Sequence, residues 1–404
     1  MSDFGGVPLE RKVVAVIGAG AFGTAMATVA TRNNHEVRLW ARRPEMVDHI
    51  NTKRRNPDYV PEFDLPDNLT AVKTIEAALD GADVMILCLP VQSVPTWVAE
   101  NKHLIPPKLL ICNTAKGLYL RDKVLLSEAV KVALDGRDQP YAMLSGPSFA
   151  KEIMQGMPTA VVVASKYLYH AVTMQRIMSS LIFRAYTSQD LVGVELGGSL
   201  KNPLAIGAGL VEGKKLGINT MAAFVTRSSQ ELQLLCRAMG GDELTISGLS
   251  GIGDLMLTSF GALSRNRTCG IRLVQGESME DICKTSTVEG VPTAEVAVHF
   301  ADMYVMHRAT PLVPTPSPLA SHTVPLTLHP ATCNLQPATF TLAVGAGWSC
   351  LYSAQSPRCL RGSCPSTKCR TTSWGGRCLG RGPTSRTKGL GIVPSAYFLI
   401  SSSS

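Results

Sequence analysis

Three glycines near the N-terminus have the spacing of a phosphate-binding loop. Gly18, Gly20 and Gly23 form a G-x-G-x-x-G motif that follows the apolar run Val13–Ile17 and opens an alanine-rich helical stretch. In such a strand–turn–helix the first glycine permits the turn, the second lets the backbone approach a pyrophosphate, and the third lets helix and strand pack closely. Free N–H groups at the helix N-terminus then face the phosphates. We therefore predict a dinucleotide cofactor here, contacted by Gly18, Gly20, Ala21, Phe22 and Gly23.

Two adjacent arginines stand where the choice between cofactors is usually made. In dinucleotide-binding folds, the residue about 20 positions beyond the glycines meets the adenosine ribose, and an acidic residue there selects NAD. Arg42 and Arg43 occupy this point, directly after the strand-like run 36–40. Two cations suit the 2′-phosphate of NADP better than a bare 2′-hydroxyl, although one of them could equally be a solvated surface residue. The sequence thus predicts NADP or NAD, with NADPH favoured.

Lys116 and Ser148 lie just beyond the ends of two further strand-like runs, 108–113 and 141–145. Ligands of doubly wound sheets bind outside the carboxyl ends of the strands, so both residues stand where a ligand would be. The same positions have a plainer interpretation. Ser148 follows Pro147 and would also serve as a turn or helix-cap residue.

These residues must be positioned by an alternation of strands and helices over residues 12–188. Apolar runs at 83–89 and 159–164 predict two more strands, and the polar, proline-marked segment 51–65 predicts a loop or insertion. From about residue 190 the apolar residues recur at helical spacing, with Gly197 and Gly198 inside the first helix, where glycines usually mark close packing. The predicted class is α/β: a Rossmann-like doubly wound sheet at 12–188, then a mainly α-helical substrate-binding domain at 189–304.

The charge is concentrated at the C-terminal end of the 404-residue chain, whose formal net charge is +8. Residues 305–404 hold nine Lys and Arg and no Asp or Glu, which leaves 30 basic and 31 acidic residues in the remainder. A nearly neutral body argues against nucleic-acid binding. No run reaches the roughly 18–20 apolar residues of a membrane span, and no signal peptide is evident. We expect a cytoplasmic protein without membrane or nucleic-acid partners, or a plastid protein if the N-terminus is incomplete.

Seven stretches, in order, resemble the NAD(P)-dependent glycerol-3-phosphate dehydrogenase family of bacterial and plastid type, and they cover 12 to about 304. They begin at Gly18, Asn113, Leu144, Glu195, Gly251, Ser264 and Val288. The resemblance implies reversible reduction of dihydroxyacetone phosphate to sn-glycerol 3-phosphate with NAD(P)H, a supply of glycerophospholipid precursors, and a homodimer.

The resemblance also implies roles for individual residues. Lys201 corresponds to the general acid/base, Lys116 to a second cation that contacts substrate and cofactor, and Asp254 to the residue that orients lysine and substrate. Lysine suits this chemistry because its ammonium donates a proton in the reduction and its amine accepts one in reverse, provided that burial or a nearby cation lowers its pKa. Substrate contacts are implied for Gly146, Ser148, Asn202, Ser264, Arg265 and Asn266, and cofactor contacts for Lys116, Ala150, Arg265 and Glu289.

Each of these residues has a structural alternative. A helical lysine is ordinarily a solvated surface residue, yet Lys201 lies in a run with few other charges. Arg265 has Arg267 nearby, and such a pair often belongs to a wet helix face. Two rival functions stay open: a related dehydrogenase acting on a non-phosphorylated hydroxy acid, and a catalytically inactive nucleotide-binding protein.

The resemblance stops after residue 304. Residues 305–404 contain 11 prolines, many Ser and Thr, and no amphipathic period, which predicts a disordered tail and an incomplete helical domain. Cys359, Cys364, Cys369 and Cys378 miss the usual C-x2-C spacing, so no metal site is predicted.

Overall fold

The structure is a computed structural model that describes residues 10–309, with side chains to residue 303. The predicted tail and its cysteines lie almost wholly outside the described residues. Within them an eight-stranded sheet is followed by a set of helices. The strands are β1 (Val13–Ile17), β2 (Glu36–Trp40), β3 (Leu69–Val72), β4 (Val84–Leu87), β5 (Leu110–Asn113), β6 (Tyr141–Ser145), β7 (Thr159–Ala164) and β8 (Phe183–Ser188).

The helices of the sheet region lie between the strands, and those of the second region follow one another directly. They are α1 (Ala21–Arg32), α2 (Pro44–Lys53), α3 (Ile75–Leu79), α4 (Val94–Asn101), α5 (Leu126–Ala133), α6 (Ala150–Met154), α7 (Leu168–Met178), α8 (Leu191–Gly213), α9 (Ile218–Ala238), α10 (Glu243–Ile246), α11 (Asp254–Phe260), α12 (Arg265–Val274), α13 (Met279–Thr285) and α14 (Gly290–Ala309). A 3₁₀ turn at Val91–Ser93 precedes α4, and a π-helical turn at Leu249–Gly253 precedes α11.

The strand order is β3-β2-β1-β4-β5-β6-β7-β8, and every neighbouring pair is parallel except β6 and β7. The chain turns back from β3 to β4 across β1, so the strand order reverses beside the glycine motif. Open α/β sheets bind their ligands at such a point. The predicted fold class is confirmed.

Burial on both faces explains why the central strands read as continuous apolar runs. In β1, Val14 and Val16 enter the core on one face of the sheet, whereas Ala15 and Ile17 enter the core on the other. All four side chains are fully buried. The glycine motif therefore starts from a strand that is fixed on both sides.

The six predicted strands are present, some of them shortened, and β3 and β8 are additional. β3 has only four residues and follows a polar segment, so its apolar content is too small to be recognised. β8 is an edge strand with an exposed Tyr186. The predicted loop at 51–65 begins as the end of α2, which continues to Lys53.

The 23-residue helix α8 is the centre of the second region and packs against α9, α11, α12 and α14. It also contacts β6, and this approach depends on Gly198. A Cβ there would lie 2.4 Å from Oγ of Ser145, so no larger residue fits without a shift. The close packing predicted from the glycines in α8 is confirmed, and it brings α8 to the carboxyl end of the sheet.

No single helix in the described part is long and apolar enough to cross a membrane. One bent pair, Glu243–Phe260 with Arg265–Val274, meets the same length and hydropathy criteria when taken together.

Candidate active site

The glycine motif forms the floor of one end of a cleft. Gly18 adopts φ +110°, a conformation that favours glycine, and its N–H donates to the Trp40 carbonyl at 3.1 Å. A Cβ on Gly23 would lie 1.8 Å from the Gly18 carbonyl oxygen, so this position excludes any side chain. A Cβ on Gly20, by contrast, would meet nothing within 4 Å. Gly20 is the N-cap of α1, so open space lies in front of a helix N-terminus, as a pyrophosphate requires.

The cleft has a volume of about 920 Å³ and is lined by both regions of the chain. Most of the residues predicted to bind substrate or cofactor line it, whereas Gly146 and Asp254 do not. The predicted residues on the wall are Gly18, Gly20, Ala21, Phe22, Gly23, Arg42, Arg43, Lys116, Ser148, Ala150, Lys201, Asn202, Ser264, Arg265, Asn266 and Glu289.

Asp254 lies behind the wall, where it holds two lysines. Its Oδ1 accepts a hydrogen bond from Lys201 at 2.6 Å, and its Oδ2 accepts one from Lys116 at 2.7 Å. Asp254 is fully buried and Lys201 is 8% exposed. The plainer interpretation of Lys201 as a surface residue is therefore wrong. Two cations share one carboxylate, which leaves an excess of positive charge at the cleft wall.

Each lysine has further polar partners. Lys201 donates to Oγ1 of Thr258 at 2.9 Å, and Lys116 donates to the Gly146 carbonyl at 2.6 Å and to Ser148 at 3.2 Å. Burial lowers the pKa of Lys116 to about 8; the nearby charge of Lys201 acts in the same direction, and Asp254 opposes the shift. A lysine with such a pKa exists as both ammonium and amine near neutral pH.

A chain of amides connects the lysines to the opposite wall. Asn202 donates to the Lys116 carbonyl at 2.8 Å and accepts from Asn266 at 3.0 Å, and Asn266 in turn accepts from the N–H of Gly290 at 3.0 Å. The starts of α12 and α14 are thereby tied to the residue beside Lys201. Ser264, also predicted to contact substrate, is the N-cap of α12 and accepts from the Arg267 N–H at 3.2 Å.

Arg265 is exposed to the cleft, and the described residues give its guanidinium no hydrogen bond or ion pair. Arg267, in contrast, pairs with Glu212 outside the cleft wall. Glu289 is half-buried, and this burial raises its pKa while the Arg265 charge opposes the rise. Arg265 is therefore the cation in this wall that is free to receive an anion.

The two arginines after β2 differ in their surroundings. Both are exposed and line the cleft. Arg42 has no polar partner among the described side chains, whereas Arg43 pairs with Asp58 through its Nη2. Of the two, Arg42 therefore has the guanidinium that is free to receive an anion, and Arg43 already has a carboxylate partner.

Sequence reasoning missed several polar or aromatic side chains in or beside the cleft. Thr258 stands four residues after Asp254 on α11, a helical spacing that could have indicated it. Trp97 approaches Trp40 with ring centroids 6.1 Å apart, and both line the cleft. Asn56 and Asp58 lie in the segment interpreted as a loop, where no local pattern distinguishes a buried amide from a solvated one.

The described residues contain no group of three or more His, Cys, Asp or Glu side chains that could hold a metal ion. The polar side chains on the cleft wall near Lys201 include those of Lys116, Asn202 and Thr258, and Asp254 lies behind them.

Comparison with known proteins gives one consistent result. The family model for the N-terminus of NAD-dependent glycerol-3-phosphate dehydrogenase matches residues 13–171, and the model for its C-terminus matches residues 190–316. The chain is 43% identical over 298 residues to the chloroplastic glycerol-3-phosphate dehydrogenase (NAD+) 2 of Arabidopsis thaliana. The aligned region covers 73% of this chain and 71% of the relative. It is 41% identical over 294 residues to the glycerol-3-phosphate dehydrogenase (NAD(P)+) of Geobacter metallireducens, covering 71% and 87%.

A solved structure agrees with these relatives. The crystal structure of glycerol-3-phosphate dehydrogenase from Coxiella burnetii matches with a TM-score of 0.69 and 34% identity, over 74% of this chain and 94% of that one. The two family models leave residues 317–404 unmatched.

Proposed function

The chain belongs to the NAD-dependent glycerol-3-phosphate dehydrogenase family, and from this premise we propose that it reduces dihydroxyacetone phosphate to sn-glycerol 3-phosphate with NADPH or NADH. The observation that carries the proposal is the pair of lysines held by Asp254 at the wall of the cleft. Reduction of a ketone needs a proton and a positive neighbour for the developing alkoxide. The two lysines supply both.

The cofactor fits the glycine end of the cleft. The open space before Gly20 and the N–H groups of α1 suit a pyrophosphate, with Gly18, Ala21, Phe22 and Gly23 forming the loop. Bound NADPH or NADH supplies a hydride, which the residues of this chain do not provide. The favoured cofactor is NADPH, because Arg42 and Arg43 both line the cleft directly after β2 and the guanidinium of Arg42 has no polar partner among the described side chains.

Proton transfer is assigned to Lys201. Its ammonium donates to the carbonyl oxygen of the substrate during reduction, and the resulting amine takes the proton back in the reverse direction. Asp254 and Thr258 hold this nitrogen in one position. Lys116 stabilises the negative charge that develops on the substrate oxygen and contacts the cofactor.

The phosphate of the substrate is assigned to the wall formed by the start of α12. It carries close to two negative charges near neutral pH, which calls for a cation and several donors. Arg265 is exposed there and has no ion-pair partner in the described part of the chain, and Asn266 lies beside it. Ser264, Asn202, Gly146 and Ser148 complete the substrate contacts. Ala150, Arg265 and Glu289 are assigned to the cofactor side.

The wider role is part of the same proposal. Residues 12–188 form the cofactor-binding domain and 189–304 the substrate-binding domain; the protein is a cytoplasmic homodimer that supplies glycerol 3-phosphate for phospholipid synthesis. A plastid is the alternative location, since one relative is named chloroplastic. A fluorescent fusion and light scattering test location and oligomeric state.

The reaction is tested with the purified full-length chain. Oxidation of NADPH, and separately of NADH, is followed with dihydroxyacetone phosphate, beside a Lys201→Ala variant. Turnover that is lost in the variant supports the proposal. A folded protein that binds NADPH or NADH but oxidises neither with dihydroxyacetone phosphate, or that oxidises them only with a non-phosphorylated keto acid, contradicts it.

A further inference from the structure

Arg42 and Arg43 line the cleft directly after β2, where the proposed cofactor would place its adenosine ribose, but their guanidinium groups differ in their partners. Arg42 has no polar partner among the described residues, whereas Arg43 is paired with the carboxylate of Asp58. The side chains of Arg43 and Asp58 are 53% and 41% exposed, so a negatively charged ligand can reach both. A 2′-phosphate that approaches Arg43 must therefore share the guanidinium with a carboxylate.

The turn that carries Asp58 is anchored below the glycine motif. Asn56 is fully buried, and its amide donates to the Ala19 carbonyl at 2.9 Å and to Oγ1 of Thr24 at 2.8 Å. Val60, also buried, closes the turn by donating its N–H to the Asn56 carbonyl at 3.3 Å. With both ends of the turn fixed, Asp58 is held beside Arg43 by buried contacts of the backbone around it.

We infer that Asp58 is a specificity-determining residue that sets the balance between NADPH and NADH by competing with the 2′-phosphate for Arg43. This inference rests on the proposed binding of these cofactors. The carboxylate occupies the guanidinium, and a 2′-phosphate must displace it before it can pair with Arg43, so Asp58 weakens NADPH binding. NADH has no 2′-phosphate to compete for Arg43, so its binding leaves the Arg43–Asp58 ion pair in place.

The inference is tested by direct titration, without substrate, of NADPH and NADH binding to the full-length chain. Energy transfer from Trp40 and Trp97, which line the cleft, reports binding. In Asp58→Asn the ratio of the two dissociation constants shifts toward NADPH by roughly two- to fivefold, the worth of an exposed ion pair. In an Arg43→Gln background, Asp58→Asn has no such effect, because the guanidinium for which the carboxylate and the phosphate compete is absent.

Asp64→Asn is the matched control, since Asp64 also forms an exposed ion pair in the same segment, at 2.7 Å, but its partner Arg55 does not line the cleft, whereas Arg43 does. A ratio in Asp58→Asn equal to that of the parent chain and of Asp64→Asn overturns the inference. So does an equal shift in the Arg43→Gln background. Binding is measured without dihydroxyacetone phosphate, so the ratio of the two dissociation constants can be determined even if the proposed reaction fails.

Discussion

The ammonium nitrogen of Lys201 lies 2.6 Å from Oδ1 of Asp254, although 53 positions separate the two residues in the chain. Lys116 reaches the other oxygen of the same carboxylate from a still more distant position. One buried carboxylate thus balances only one of two cations. The remaining charge is free to stabilise an alkoxide at the cleft wall, and the carboxylate is needed to keep both lysines in place.

Removal of this carboxylate should destabilise the fold as well as the site. In Asp254→Ala two ammonium groups lose the one ion pair that each forms among the described residues, and breaking a buried pair in this way costs about 3–5 kcal/mol. Urea unfolding measures the loss in free energy of unfolding. Asp64→Ala, which removes an exposed carboxylate, should leave the unfolding curve close to that of the parent chain. Equal unfolding curves for the two variants would contradict the buried pairing.

The reduction should have an alkaline limit set by Lys116. Its pKa is lowered to about 8, chiefly by burial, so its charge is present below pH 8 and lost above it. We expect kcat/KM for dihydroxyacetone phosphate to fall above pH 8, by about tenfold per pH unit. In Lys116→Arg the charge persists at all accessible pH values, which removes this limit from whatever activity is retained. An unchanged limit in Lys116→Arg would assign it to another group.

The assignment of the substrate phosphate depends on Arg265. Arg265→Gln removes the free cation of that wall and should raise KM for dihydroxyacetone phosphate about 10- to 100-fold, as expected for a charge-assisted hydrogen bond. Arg267→Gln, whose parent side chain pairs with Glu212, is the control and should leave KM unchanged. If Arg265→Gln raises KM equally for dihydroxyacetone without its phosphate, the arginine has another role.

An added methyl group should affect NADPH binding at Gly20 and stability at Gly23, both at the start of α1. Gly20→Ala places a Cβ in open space, so thermal stability should be retained while NADPH binding weakens. Gly23→Ala places a Cβ 1.8 Å from the Gly18 carbonyl oxygen and should cost about 1–3 kcal/mol of stability. Calorimetry and NADPH titration of both variants measure these effects. Normal NADPH affinity in Gly20→Ala would show that the pyrophosphate lies elsewhere.

Glu195 should make the stability of the protein depend on pH. It is fully buried and accepts from the Ser127 N–H at 2.9 Å and hydroxyl at 2.6 Å; burial raises its pKa to about 7. A raised folded-state pKa contributes stability that is complete below the unfolded value, about 4.5, and is lost as the pH rises through about 7. The free energy of unfolding should therefore decline by up to about 3 kcal/mol over this pH range because of Glu195, and Glu195→Gln should abolish that part of the decline.

Unfolding free energies at pH 5 and pH 8 provide the measurement for Glu195. The exposed Glu76, in the variant Glu76→Gln, is the control and should keep the decline of the parent chain. If the free energy of unfolding falls equally from pH 5 to pH 8 in the parent chain and in Glu195→Gln, then Glu195 is already ionised in the folded protein at pH 5.

The sequence by itself determined the fold class, six of the eight strands and the glycine motif. These features are local: a continuous apolar run makes a buried strand wherever it occurs, and the motif directly follows such a run. The missed strands β3 and β8 lack that local mark, because one is short and the other lies at the edge of the sheet. The residues of the site were identified by ordered motifs, which state residue types and no distances.

Only the tertiary structure decided how those residues act on one another. The approach of α8 to β6, permitted by Gly198, brings Lys116 and Lys201 onto one carboxylate 138 and 53 positions away from them. The lowered pKa of Lys116 follows from burial, which depends on all surrounding elements together. Asp58 likewise meets Arg43 because Asn56 is buried beneath the glycine motif. Contacts and desolvation of this kind arise from packing between distant segments, so no local pattern in the chain encodes them.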